Sequence, residues 1–134
     1  PKGLVVGARE PAMGVRGIPE TELIFDNLEI ADDMVLIPPE GIRRGFAGLM
    51  NAYNGQRIGA ATVAHGIAVS AYELALAYAH ERRQFGRPIA EFQGVQWMLA
   101  DMSIQLSAAQ ALIYGAAARA GEGFPNKLEA AQAK

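Results

Sequence analysis

Hydrophobic positions change their rhythm once along this chain, and the change falls at a pair of prolines. From Gly3 to Ile37 the apolar residues come in short pieces, Leu4-Val5-Val6, Leu23-Ile24-Phe25 and Leu28-Glu29-Ile30, separated by turn formers such as Asp26-Asn27 and Asp32-Asp33. That punctuation predicts β-strands. Pro38-Pro39 then stops any regular element, because two fixed φ angles and two missing N–H donors cannot continue a ladder or a helix. A domain boundary is placed there, dividing residues 1–40 from residues 41–134.

Beyond the boundary no proline occurs until Pro88, and alanine, leucine, glutamine, arginine and glutamate dominate. Their intrinsic preferences predict a helix from about Arg44 to Glu81. Gly45, Gly48, Gly55, Gly59 and Gly66 weaken it, which suggests ordinary helix packing or a close backbone approach or bend. Arg82 to Pro88 reads as a connector, and a second helix is predicted from about Ala90 to Arg119. On it Val95, Leu99, Met102, Leu106, Ala109, Ile113 and Ala116 recur at spacings of four and three, so one apolar stripe faces partner helices. Gly121-Glu122-Gly123 supplies a stop, and Asn126 with Glu129 forms a capping-box pattern that opens a third helix. The expected fold class is α+β: short β segments followed by long antiparallel helices of a bundle.

Composition narrows what such a chain can do. It has 134 residues, 51% of them hydrophobic, enough for one ordinary domain or a small domain with part of a neighbour. A formal net charge of −2 gives no field that would hold nucleic acid or an anionic membrane, so any anion site must be local. The absence of cysteine excludes disulfides, thiolate metal sites and a cysteine nucleophile. Arg, Gln, Glu or His interrupts the apolar stretches, so no membrane span is expected. The start at Pro1, and a third helix that stops almost as soon as it begins, suggest a piece of something longer. A cytoplasmic location is the default expectation, with the mitochondrial matrix also compatible.

Chemistry concentrates between Tyr78 and Met102. Arg82, Arg83 and Arg87 place three positive charges within six residues, Phe85 offers a face for a flat ring, and Gly86 lets the backbone come close. These residues suit a nucleotide or pyrophosphate; a solvated basic turn is the competing reading. His65 and His80 join no metal-ligand spacing and read as ordinary helix residues, so no metal site is expected. Asp101 reads as the acceptor of a structural hydrogen bond, and Trp97 as packing.

Arg82, two residues, Phe85-Gly86, then Phe92-Gln93 and Leu99-Ala100-Asp101-Met102 together resemble the acyl-CoA dehydrogenase family. Met13 to Gly17 and Thr21 to Asp26 are similar to that family's middle β-domain, and Asn54 to Gly59 to the start of its first C-terminal helix. The resemblance covers essentially the whole chain. It implies that residues 1–40 end the middle β-domain and residues 41–134 begin the C-terminal helical bundle.

The same resemblance implies FAD as cofactor, with Arg82 reaching the pyrophosphate of a neighbouring subunit and Gln84, Phe85 and Gln93 lying against it. Arg83 and Arg87 have no such counterpart and are read as surface or interface charge. Asn54 and Arg57 match the family's Asp-x-x-Arg contact to acyl-CoA; Asn54 replaces the usual aspartate, and its bland alternative is a helix-surface amide. Gln56 stands where some branches carry a catalytic glutamate, and a neutral amide cannot abstract a proton at pH 7. The base is therefore expected beyond Lys134.

The implied activity of the parent protein is oxidation of an acyl-CoA to its trans-2-enoyl-CoA, with hydride transfer to FAD and electrons passed to an electron-transfer flavoprotein by a homodimer or homotetramer. The chain by itself is expected to be inactive. Two rivals are a flavin-dependent oxidase or monooxygenase on the same scaffold, and a helical interaction module without a cofactor.

Overall fold

The computed structural model describes residues 2–134 and divides the chain into two compact units, Pro1–Ile42 and Arg43–Lys134. In the first unit Leu4–Arg9 (β1) and Thr21–Phe25 (β2) form an antiparallel pair with Leu4 opposite Phe25, Val5 opposite Ile24 and Val6 opposite Leu23. The register shifts between Val6 and Arg9, as a β-bulge does. Gly3 closes the end of the pair at φ +93°. Its carbonyl accepts from the Asp26 N–H at 2.8 Å, and a Cβ there would lie 2.6 Å from the Asp26 carbonyl oxygen.

The third apolar piece departs from expectation. Leu28-Glu29-Ile30 is not a strand, and the segment beyond it makes one 3-10 turn over Asp32–Met34. An extended segment becomes a strand only when a neighbour takes its N–H and C=O groups. Among the described residues β1 and β2 pair only with each other, so Leu28–Ile30 has no such neighbour.

The second unit is helical. A 3-10 turn at Ile42–Arg44 leads into Gly45–Glu81 (α1), and a short connection leads to Gln93–Ala120 (α2), which returns along α1; Lys127–Ala133 (α3) packs on both. The second helix begins three residues later than expected because Ile89–Glu91 is a 3-10 turn. The apolar stripe of α2 lies where its spacing puts it: Ile113 and Ala116 are buried and Val95, Leu99, Leu106 and Ala109 half-buried, while Met102 stays 44% exposed. Ile58 and Ala61 from α1, Ile113 and Ala116 from α2, and Ala130 from α3 make one buried cluster. Three of its five members are alanine, and such small side chains let helix backbones approach closely at native packing density.

Two further expectations are corrected, for the α1 glycines and for Trp97. A Cβ at Gly45, Gly55, Gly59 or Gly66 would meet no atom within 4 Å, so no described segment makes the close approach their presence suggests. Trp97 is 64% exposed rather than packed, and Asp101 is exposed too. The Ile42–Glu81 segment is long and apolar enough to cross a membrane by length and composition, a test that the core helix of a bundle also passes.

Candidate functional site

The reversal between α1 and α2 is a tight β-hairpin rather than an irregular connector. Arg82 ends α1 by turning to φ −67°, ψ 124°, while its N–H still donates to the Tyr78 carbonyl at 2.8 Å. Arg83–Gln84 (β3) and Arg87–Pro88 (β4) then pair antiparallel, with Arg83 opposite Pro88 and Gln84 opposite Arg87. The Ile89 N–H donates to the Arg82 carbonyl at 2.8 Å and closes the hairpin at its base.

Only Phe85 and Gly86 remain for the turn, with φ of +52° and +80°. Two successive positive φ values are the requirement of a type I′ hairpin turn, which matches the twist of the flanking strands. Gly86 meets it freely. Phe85 does not, because its Cβ approaches the following carbonyl, a strain of about 1–2 kcal/mol. Nor does burial offset that strain, since Phe85 is 93% exposed.

Phe85 has one aromatic neighbour, Phe92, whose ring centroid lies 6.2 Å away at an interplanar angle of 79°, an edge-to-face contact. Over the Phe92 ring sits the Arg87 guanidinium, its carbon 4.3 Å from the centroid. Arg87 is therefore part of a stack as well as an exposed charge. Sequence reasoning noted both residues but missed their contact, for Pro88 and a 3-10 turn intervene and no helical spacing links them. Gln84 turns its amide back onto the Arg83 carbonyl at 2.7 Å, and Gln93 stands exposed as the first residue of α2. Arg82, Gln84, Phe85 and Gln93 are thus gathered at one end of the helix pair, all of them exposed.

Asn54 and Arg57 lie elsewhere, on the N-terminal half of α1. Asn54 is only 3% exposed, which rules out the surface-amide alternative. Its Oδ1 accepts from the Arg57 guanidinium at 3.2 Å and its Nδ2 donates to Asn51 Oδ1 at 3.4 Å. The asparagine carbonyl is used within the chain, holding Arg57. Gln56 is exposed on the same turn. Arg57 and Arg82 are 25 residues apart on one uninterrupted helix, which at the helical rise separates them by about 37 Å. The structure does not bring the two groups together.

One further concavity, of about 520 Å³, runs between α1 and α2, lined largely by alanines with Tyr72, Met102 and Leu106. His65 lies in it, with its Nδ1 buried and without a hydrogen-bond partner. No group of three or more His, Asp or Glu able to hold a metal occurs among the described residues.

Comparison with known proteins agrees with this fold. Residues 43–134 match the family model described as acyl-CoA dehydrogenase, C-terminal domain. Four proteins named 3-sulfinopropanoyl-CoA desulfinase are 58–63% identical over 94–100% of the chain. That of Cupriavidus necator is 63% identical over the whole chain, which covers 34% of that relative. A short-chain specific acyl-CoA dehydrogenase of Clostridium acetobutylicum is 41% identical over 99% of the chain and 34% of its own length. Among solved structures, butyryl-CoA dehydrogenase from Megasphaera elsdenii superposes with a TM-score of 0.87 at 38% identity, over 98% of this chain and 34% of that one. The chain therefore spans about a third of the length of the relatives it matches. With its helical unit matched to the family model and its fold shared end to end with a member, the chain belongs to the acyl-CoA dehydrogenase family.

Proposed function

We propose that the chain supplies the cofactor-anchoring hairpin and a CoA-side anchor of a flavoprotein that acts on a short CoA thioester, and that this thioester is 3-sulfinopropanoyl-CoA. The carrying observation is the identity gap along one stretch of chain, 63% to a desulfinase against 41% to a short-chain dehydrogenase. Gln56 is compatible with this reading without deciding it: a neutral amide there is no handicap in a reaction that removes no α-proton, and the dehydrogenase reading places its base elsewhere.

Loss of the sulfino group balances without an external oxidant. The carbon–sulfur bond breaks, water gives a proton to the carbon and its oxygen to sulfur, and the products are propanoyl-CoA and hydrogensulfite. In this scheme Arg57, held by Asn54, offers a fixed cation to the anionic CoA substrate.

The donor set at the hairpin fits FAD. An exposed guanidinium at Arg82 suits a pyrophosphate, the exposed ring of Phe85 suits a flat heteroaromatic, and Gln84 and Gln93 provide amides that both donate and accept. FAD, when bound, supplies a flavin ring that accepts a hydride in the dehydrogenase reading. Because about 37 Å of helix separates Arg57 from Arg82, the two groups of one chain serve different sites. A homodimer or homotetramer, in which one copy lends Arg82 to the FAD of another, accommodates this separation.

The dehydrogenase reading is the second, favoured by the shared fold with butyryl-CoA dehydrogenase. It requires a glutamate base beyond Lys134 and an electron acceptor such as an electron-transfer flavoprotein. Full-length parent protein incubated with 3-sulfinopropanoyl-CoA, without an acceptor, is expected to release sulfite. Dye reduction with butyryl-CoA in the absence of any sulfite release would replace the desulfination reading with the dehydrogenase one.

A further inference from the structure

The hairpin contains a feature that a cofactor-contact role for Arg82, Gln84, Phe85 and Gln93 leaves unused. Phe85 stands at the apex of the turn, exposed and in a left-handed conformation, and among the described residues its one aromatic neighbour is Phe92. Phe92 is half-buried and ends the 3-10 turn that precedes α2; its N–H donates to the Ile89 carbonyl at 3.1 Å, and its own carbonyl accepts from Val95 and Gln96. Its backbone is fixed, so only its side-chain torsions remain to place the ring. Arg87 covers that ring at 4.3 Å. Among the described residues the one ion pair is Arg119 with Glu129, so the Arg87 cation lies on an aromatic face and not on a carboxylate.

We propose that Arg87 is a positioning residue: lying over Phe92, it locks that ring as the platform against which Phe85 is held, so that the turn presents Phe85 and Arg82 to the cofactor in a single orientation. The inference rests on the FAD-site reading above and adds to it a residue that does not itself touch the cofactor. Without the guanidinium, the Phe92 ring loses its cation–π contact, and the exposed Phe85 ring samples other rotamers. The cofactor then selects its orientation from a wider ensemble and binds less tightly.

The test uses the full-length protein loaded with FAD. Its readouts are FAD affinity from flavin fluorescence on dilution, the visible circular dichroism of the bound flavin, and the melting temperature of the apoprotein. Arg87→Ala and Phe92→Leu are each expected to weaken FAD binding about two- to fivefold, the range of an exposed cation–π contact. Both should alter the flavin dichroism. The double variant should be no weaker than the weaker single one, and Arg87→Lys should recover most of the affinity, since an ammonium also sits over a ring. An unchanged FAD affinity in Arg87→Ala, with Arg82→Ala weakened, overturns the positioning role and leaves the FAD site standing. If Arg82→Ala also binds FAD normally, the FAD-site reading fails and the inference with it. A lowered apoprotein melting temperature without a change in FAD affinity assigns Arg87 a purely structural role. Losses that multiply in the double variant show that the two side chains act separately, against the proposal.

Discussion

At the scale of single residues, the arginines of the hairpin are not equivalent. Arg82 stands at the end of α1, exposed and next to the turn, while Arg87 is engaged on Phe92. Arg82→Ala in the full-length protein removes a charge-assisted contact worth about 1.5 to 3 kcal/mol, which predicts FAD binding weakened about ten- to a hundredfold. The variant should purify paler and regain colour when FAD is added. Arg83→Ala is the proper control, because Arg83 is exposed and offers the hairpin its backbone rather than its guanidinium. Equal losses in the two variants would show a generic basic turn. Phe85 gives a second prediction at this scale. Phe85→Gly relieves a left-handed strain of about 1–2 kcal/mol, so chemical denaturation of the apoprotein should show equal or greater stability. The same variant should bind FAD less tightly, because it lacks the ring. A variant that loses stability, or keeps its FAD affinity, would mean that the strained phenylalanine serves the fold and not a ligand.

At the scale of elements, α3 shows how a short helix is secured. Only seven residues long, it cannot persist by propensity and depends on its cap and its contacts. Asn126 Oδ1 accepts from the Leu128 N–H at 2.8 Å, so half of the expected capping box is present. The other half is replaced: Glu129 does not reach back but pairs with the Arg119 guanidinium at 2.6 Å, tying α3 to the end of α2. Arg119 is well exposed, so this pair contributes at most about 1 kcal/mol. Asn126→Ala should cost about 0.5–2 kcal/mol and be felt first in α3, as faster amide hydrogen exchange over Lys127–Ala133. Unchanged exchange there would show that packing of Ala130 and Ala133 alone holds the helix.

For the molecule as a whole, exposed apolar surface is the dominant property. The chain exposes 10853 Å², whereas a folded monomer of its mass exposes roughly 6800 Å². Large apolar side chains account for much of it, with Phe46 and Leu74 more than 70% exposed and Leu36 and Met13 almost wholly so. The alanine-lined groove beside His65 adds concave apolar surface within the helical unit. Apolar exposure on this scale marks interaction surface. The isolated 134-residue chain is therefore expected to self-associate, to bind FAD weakly or not at all, and to turn over neither 3-sulfinopropanoyl-CoA nor butyryl-CoA. Light scattering coupled to size exclusion, with both assays run on the same fractions, checks this. A monodisperse monomer, or any turnover, would contradict it.

Much of this was legible in the residues themselves. The α2 stripe could be read because helix hydrogen bonds are local, so the spacing of Val95, Leu99, Leu106 and Ile113 already places them on one face. The ends of α1 followed from Pro38-Pro39 and from the Arg82 to Pro88 interruption, and the Arg82 to Met102 pattern carried the family. Tertiary structure alone decided the rest. Whether Leu28–Ile30 is a strand depends on a neighbour elsewhere in the chain, whether Asn54 is buried depends on what packs against α1, and the place of Arg87 over Phe92 exists only once the hairpin has closed. Each depends on groups brought together across a turn or between elements, where sequence spacing no longer measures distance.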